Sequence, residues 1–311
     1  MSNDEYDLVI VGGGVAGLTA GLTSARAGRK TRVLTGAALG GHLVSIERID
    51  GYPGFPDGVP GYDLCPIIQE QAVGAGAEFA ATEATGLHAD DGTWRVSTGE
   101  GDVRARAVLI ATGTTLKTLG IPGEERLRGK GVSHCASCDA PLLRNRIVGV
   151  VGGGDSALQE ALTLAQHAAR VIILHRGTAL SAQPDYIQRV QENPKVEVRF
   201  GTIVEEAIGN GGLTSVRTRT VGDGKTGDVE LAGLFVYVGL APATTLLADV
   251  LALDASGRIP VDGEMRSNLP GLFAAGTVRS GSAGRAASAA GDGATAALSA
   301  DRYLKDGTWS G

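Results

Sequence analysis

Two glycine-rich turns of one design, each set between a buried strand and a helix, predict an α/β chain of two Rossmann-like dinucleotide-binding domains, the second inserted into the first. The turns begin at Gly12 and Gly152, about 140 residues apart. A further buried segment and a long small-residue helix near the end of the chain suggest how the two domains are threaded. The composition is consistent with this. Of 311 residues, 48 are glycine, yet they follow no three-residue period, and apolar runs recur throughout, which excludes a collagen and a low-complexity polymer. A glycine excess of this kind needs local causes, where backbone turns sharply or comes close to something.

The first unit opens with a short buried strand, Tyr6 to Val11. It leads into Gly12-Gly13-Gly14-Val15-Ala16-Gly17, a helix to about Ala27 and a second strand, Thr31 to Leu34. In this G-x-G-x-x-G turn Gly12 allows the tight bend, Gly14 lets backbone approach a pyrophosphate, and Gly17 lets helix and strand pack closely. Trp94 to Ser97 and Val103 to Ile110 alternate as strands of a small meander that ends in Ala111-Thr112-Gly113. The design then recurs: a strand from Arg146 to Val151, the turn Gly152-Gly153-Gly154-Asp155-Ser156-Ala157, a helix from Ser156 to Ala168 and a strand from Val171 to Leu174. Gly271 to Gly276 reads as another buried strand, followed by a helix from about Ala286 to Leu304. One domain therefore spans residues 1–115 and 241–311, and the other spans 116–240. Glycine- and proline-containing linkers are expected near Thr114 to Pro122 and Gly239 to Thr244.

The net charge of −6 and the absence of a basic block argue against a nucleic-acid surface. No apolar stretch reaches the ~18 residues that a membrane span needs. The acidic N-terminus is unlike a secretory signal, and three cysteines make no disulfide scaffold, so the cytoplasm is the expected compartment. Cys135 and Cys138 enclose two residues in Cys135-Ala136-Ser137-Cys138-Asp139. Thiols at this spacing can close into a disulfide, and the adjacent Asp139 can deliver or remove a proton as sulfur changes state. The competing reading is half a zinc site, but the only other cysteine, Cys65, lies in a separate helical segment and reads as a small buried hydrophobe. No metal is expected. His134 either holds the first thiolate or only leads into the motif.

Neither second strand ends in the acid that would bind a ribose hydroxyl. The first ends Val33-Leu34-Thr35-Gly36 and says nothing about its ligand. The second ends His175-Arg176, a cationic end that either reads a 2′-phosphate or is a solvated surface arginine.

With these motifs in hand, the chain resembles the low-molecular-weight thioredoxin reductases over nearly its whole length. The matching pieces come in family order. They are the first glycine turn, Gly40-Gly41-His42-Leu43, Tyr52-Pro53-Gly54, Ala111-Thr112-Gly113, Cys135 to Asp139, the second glycine turn, His175-Arg176 and Ala274-Ala275-Gly276. The resemblance implies FAD in the discontinuous domain and NADPH, with NADH as the alternative, in the inserted one. It also implies a homodimer, and a rotation that alternates flavin access between nicotinamide and disulfide. The implied FAD residues are Gly12, Gly14, Gly17, Gly41, His42, Gly113, Gly276, Thr277, Arg285 and Ala286, the last two opening a helix aimed at the flavin's N1–C2 edge. The implied NADPH residues are Gly152, Gly154, Asp155, Ser156, His175 and Arg176. Cys138 is implied to face the flavin, Cys135 to exchange with thioredoxin or a similar small disulfide, and Asp139 to serve as acid and base.

The chain departs from the family pattern at several points. Thr277 stands where the family has Asp, and Arg285 where it has Gln. Gly177 and Ser181 replace two arginines, and Ala140-Pro141-Leu142 replaces Gly-Phe-Phe. The reduced arginine set and the altered residues after Asp139 keep two alternatives open: an oxidase that passes electrons from a small dithiol natural product to oxygen, and a reductase fed by a donor other than NADPH. A redox sensor with little turnover is a third.

Overall fold

A computed structural model describes residues 5–37 and 39–309. The chain divides into two compact units, residues 1–115 with 241–311 and residues 116–240. Along the first segment run β1 (Glu5–Val11), α1 (Val15–Arg26), β2 (Thr31–Leu34), α2 (Gly61–Gly74), β3 (Glu78–Ala80), β4 (Ala84–Asp90), β5 (Thr93–Thr98) and β6 (Gly101–Ile110). The chain crosses through β7 (Thr114–Leu116) into β8 (Val132–Ser133), α3 (Ala136–Asp139), β9 (Ile147–Val151), α4 (Asp155–His167), β10 (Arg170–Leu174), α5 (Pro184–Glu192) and β11 (Val196–Arg199). Then come β12 (Thr202–Ile208), β13 (Ser215–Thr220), β14 (Thr226–Glu230) and β15 (Gly233–Val236). The chain returns through β16 (Leu240–Pro242) to β17 (Leu272–Ala274) and α6 (Ala286–Asp306).

The first unit is organised by β6. Its whole length from Arg104 lies parallel to β1, and β2 and β3 extend the sheet in parallel beyond β1. On the other side β6 is shared: residues 101–105 pair antiparallel with β5, and Val108 to Ile110 pair parallel with β17. The buried strands read VIV and VLI at their carboxyl ends because both faces are covered there. One face carries α1 and α6, which approach so closely that a methyl at Gly293 would overlap the Ala16 carbonyl. Phe273 is fully buried there, with Trp309 edge-on at 5.0 Å and Tyr303 at 6.4 Å between ring centres.

The second unit repeats the plan with five parallel strands in the order β11-β10-β9-β15-β8, flanked by α4 and backed by the antiparallel meander β12-β13-β14. The buried stripe of α4, Ala157, Leu158, Ala161, Leu164 and Ala165, follows helical spacing and packs on Val148, Val150, Val171 and Ile173. The expected strand at 271–276 is shorter, ending at Ala274. Gly276 instead starts a 3-10 turn to Val278, because its amide is taken by the side chain of Asp292 rather than by a neighbouring strand.

Phe273→Ala removes a fully buried aromatic on which Tyr303 and Trp309 rest. It is expected to lower the stability of the folded chain by about 3–5 kcal/mol, read from the urea midpoint at unchanged slope.

Candidate active site

Three loops meet at the carboxyl ends of β1, β6 and β17, the edge where open α/β sheets bind ligands. Gly12 has φ +122°, and a side chain there would collide with the Ala111 carbonyl. A methyl at Gly17 would overlap the Gly12 carbonyl. These two glycines are demanded by the protein's own backbone. Gly14 is different: a Cβ there meets nothing within 4 Å, and its φ of −74° suits any residue. Gly14 is also the N-cap of α1, with no side-chain cap on the helix. Uncapped amides thus face an open space that only a close-approaching group explains, which fits a dinucleotide phosphate.

The second unit reproduces this distinction. Gly152 has φ +148°, and a side chain there would strike the Tyr237 carbonyl, whereas at Gly154 the nearest atom is Ser181 Oγ at 3.8 Å. Gly154 is the N-cap of α4, again without a side-chain cap. Asp155 begins that helix, its carboxylate taking the Gln183 backbone amide at 2.7 Å and the Gln183 side chain at 3.1 Å, while Ser156 is exposed. The His175 ring fills the space that a side chain at Gly153 would need, and Nε2 lies 2.9 Å from the Ala179 carbonyl. His175 therefore shapes the second-strand end, and the neighbouring Arg176 is exposed. Ser181 is spent on the turn, its N–H and hydroxyl both donating to the Gly153 carbonyl.

Around the first turn, the Gly40 amide donates to the Gly13 carbonyl at 2.9 Å, and a Cβ at Gly41 would sit 3.4 Å from Gly14 Cα. His42 follows in a 3-10 turn at Gly41–Ser45, and burial lowers its pKa. Gly113 lies beside Thr277, whose Oγ1 is 3.4 Å from the Thr114 hydroxyl. Arg285 is the N-cap of α6 and Ala286 its first residue.

The sequence reading missed what holds this loop. Asp292 of α6, 7% exposed, accepts the Gly276 amide at 3.1 Å and both prongs of Arg279 at 2.7 Å. A paired acid and base thirteen residues apart were visible in the sequence, but nothing there marked Asp292 as buried. Cys65 is fully buried with its sulfur 3.9 Å from the Gly40 carbonyl, and burial pushes its pKa up to about 11.

Cys135 and Cys138 are joined in a disulfide, their Cα atoms 5.3 Å apart across the single turn of α3. Cys135 is the N-cap of that turn, and its sulfur receives the Cys138 amide at 3.3 Å. An N–H aimed at a sulfur stabilises negative charge on it once the bond opens. The Ser133 hydroxyl accepts the Cys135 amide at 3.1 Å, and the Ser137 hydroxyl lies 3.5 Å from Cys135 Sγ. Cys138 is exposed, while Cys135 and Asp139 are half-buried. His134 has its pKa lowered, first by burial and then by Arg128. Among the described residues no cluster of three His, Cys, Asp or Glu side chains could hold a metal, and no helix is long and apolar enough to cross a membrane.

Two open phosphate turns and one reactive disulfide define a flavin- and nicotinamide-dependent disulfide oxidoreductase. The family model for pyridine nucleotide-disulphide oxidoreductases matches residues 6–293, and the chain belongs to that family, within its low-molecular-weight thioredoxin reductase branch. It is 38% identical over 300 residues to the thioredoxin reductase of Treponema pallidum (strain Nichols), covering 96% of this chain and 97% of that protein. The Listeria innocua thioredoxin reductase is 39% identical over 309 residues, covering 98% and 97%. Among solved structures, Lactococcus lactis thioredoxin reductase superposes with a TM-score of 0.94 at 36% identity, covering 96% of this chain and 99% of that one. The T. acidophilum thioredoxin reductase gives 0.92 at 33% identity, with the same coverage. FAD and a nicotinamide dinucleotide are the cofactors of this family.

Gly14→Ala and Gly154→Ala test the two turns separately from the fold. Each variant is expected to keep the parent melting temperature as apoprotein. Gly14→Ala should lose bound FAD on gel filtration, and Gly154→Ala should raise the nicotinamide KM at least ~10-fold, since a methyl occupies the phosphate's approach. Asp292→Ala should differ by destabilising the apoprotein itself by about 3–5 kcal/mol in urea, because the largely buried Arg279 loses its carboxylate and the Gly276 amide its acceptor.

Proposed function

We propose that the chain is an NADPH-oxidising reductase of thioredoxin-like protein disulfides and acts as a homodimer. The observation that carries this reading is the Cys135–Cys138 disulfide, built across one helical turn with the Cys138 amide on Cys135 Sγ and Asp139 next in sequence.

Gly12, Gly14 and Gly17 with the α1 amides, Gly41, His42, Gly113, Gly276, Thr277, Arg285 and Ala286 would hold FAD in the first unit. Gly152, Gly154, Asp155, Ser156, His175 and Arg176 would hold the nicotinamide dinucleotide in the second. Bound FAD, reduced by NADPH, supplies the two electrons that open the disulfide. Cys138 is the sulfur assigned to receive them. The released Cys135 sulfur, steadied as thiolate by the Cys138 amide, attacks the external disulfide. Asp139 carries the proton between the thiols and solvent. Arg285, a cation at the first turn of α6, would favour an anionic reduced cofactor, and its place at a helix N-terminus adds to that field.

Arg176 supports NADPH because no acid occupies the second-strand end, and the other nearby arginine, Arg199, is engaged by Glu197 at 2.8 Å. The dimer is supported by Tyr62, Ile67 and Val73 of α2, large apolar side chains left about half exposed on one helix. The sparse cysteines favour a reducing compartment such as the cytoplasm.

Anaerobic titration of the yellow protein with NADPH and NADH separately, followed by oxidised thioredoxin, tests donor and acceptor together. NADPH is expected to bleach the flavin band within one turnover and thioredoxin to restore it. Arg176→Ala should raise the NADPH KM roughly 10- to 100-fold, the weight of one charge-assisted contact, and leave NADH unchanged. No bleaching by either nucleotide at millimolar concentration, or oxygen uptake driven by a small dithiol without nucleotide, would replace this reading.

A further inference from the structure

The outer end of the second unit's parallel sheet leaves two large apolar side chains half in water. Phe200, directly after β11, is 46% exposed, and Val221, directly after β13, is 51% exposed. The Val221 amide donates to the carbonyl of Gly201, the residue after Phe200, at 2.7 Å. One apolar side chain in water needs no explanation, but two neighbours at a ligand-binding edge do. Strands β9, β10 and β11 run parallel, so their carboxyl ends stand in a row. Main-chain bonds tie Phe200 to that row. The His175 amide donates to the Arg199 carbonyl at 3.0 Å, the Gly201 amide to the Gly177 carbonyl at 3.0 Å, and the Thr202 amide to the His175 carbonyl at 2.9 Å.

The Phe200 ring is held as well. It stands nearly perpendicular to the His175 ring, at 81°, with centres 6.2 Å apart. The His175 ring fills the space that a side chain at Gly153 or Gly177 would need, and its Nε2 lies 2.9 Å from the Ala179 carbonyl. An aromatic ring steadied by its neighbour, with half its surface in water, is preorganised to receive a second flat group.

A dinucleotide lies along such an edge in the order of its own parts. Its pyrophosphate takes the turn after the first strand, here Gly154 after β9, and its adenosine ribose takes the second-strand end, here the close of β10. The base comes next along the molecule, and β11 comes next along the sheet.

We propose that Phe200 is the platform on which the adenine ring of the nicotinamide dinucleotide stacks, with Val221 as the apolar margin of the same subsite. This rests on the reading of the Gly154 turn as the nucleotide's phosphate site. Adenine is common to NADPH and NADH, so Phe200 holds both, whereas Arg176 reads only the 2′-phosphate that separates them. Strength of binding and choice of nucleotide therefore fall to different residues. The contact is one π face on another and moves neither proton nor electron.

The test uses the FAD-loaded protein, whose first turn is filled, and two fragments that carry the base without nicotinamide: ADP and adenosine 2′,5′-bisphosphate. Calorimetry reads their dissociation constants. Phe200→Ala is expected to weaken both by a similar factor, roughly 5- to 30-fold, the weight of one base–aromatic stack. Phe200→Trp should keep both near the parent values, and Phe200→Leu, apolar but without a ring face, should weaken both. On the parent protein, the adenine H2 and H8 protons of bound ADP should resonate upfield of their positions in free ADP through the Phe200 ring current. That shift should vanish in Phe200→Leu. Because Phe200 lies at the surface, each variant should keep the parent melting temperature. Parent dissociation constants in Phe200→Ala, parent-like binding by Phe200→Leu, or a loss confined to one fragment overturns the proposal. A parent protein that binds neither fragment refutes the phosphate reading of the Gly154 turn, and the subsite with it, a failure distinct from that of Phe200 alone.

Discussion

The structure depends on backbone approaching backbone at distances that no side chain permits. α1 leaves its turn with Gly17 over the Gly12 carbonyl, and α6 lies on α1 with Gly293 against the Ala16 carbonyl. Once these three elements are fixed, the carboxyl ends of β1, β6 and β17 form one edge, and the loops that follow them lie together. The second unit repeats the constraint with Gly152 against Tyr237. What no packing demand explains is chiefly Gly14 and Gly154, and beside them stands a disulfide held on one turn of helix.

That logic shows why much of the fold could be read from the sequence. A strand such as Tyr6 to Val11 has an apolar run from Leu8 and passes straight into glycine, so composition and punctuation agree. Cys135 to Asp139 was equally legible, because a two-residue spacing between thiols has few chemical meanings. Less legible were α5, with its sparse apolar pattern, and β3 and β17, three residues each, which are strands only because longer neighbours hold them. Gly276 read as the end of a strand because its amide's partner, Asp292, comes sixteen residues later on another element.

The buried polar groups were the hardest to anticipate. Asp292 and Glu160 sit in helices whose sequences would allow either to face water, and only the assembled core shows that they do not. His175 read as part of a phosphate site, and its ring also fills the space beside Gly153, a packing role that the sequence did not mark.

The pairing of β17 with the far end of β6 has a consequence for how the chain is made. Val108 must wait for Leu272, about 160 residues later, before that side of its sheet is closed. All of the second unit is synthesised in the interval, and it contains every strand of its own sheets. On the ribosome, then, the inserted unit can complete its core while the unit around it still has an open sheet edge and a helix missing. The order of birth is the reverse of the order in which the chain begins.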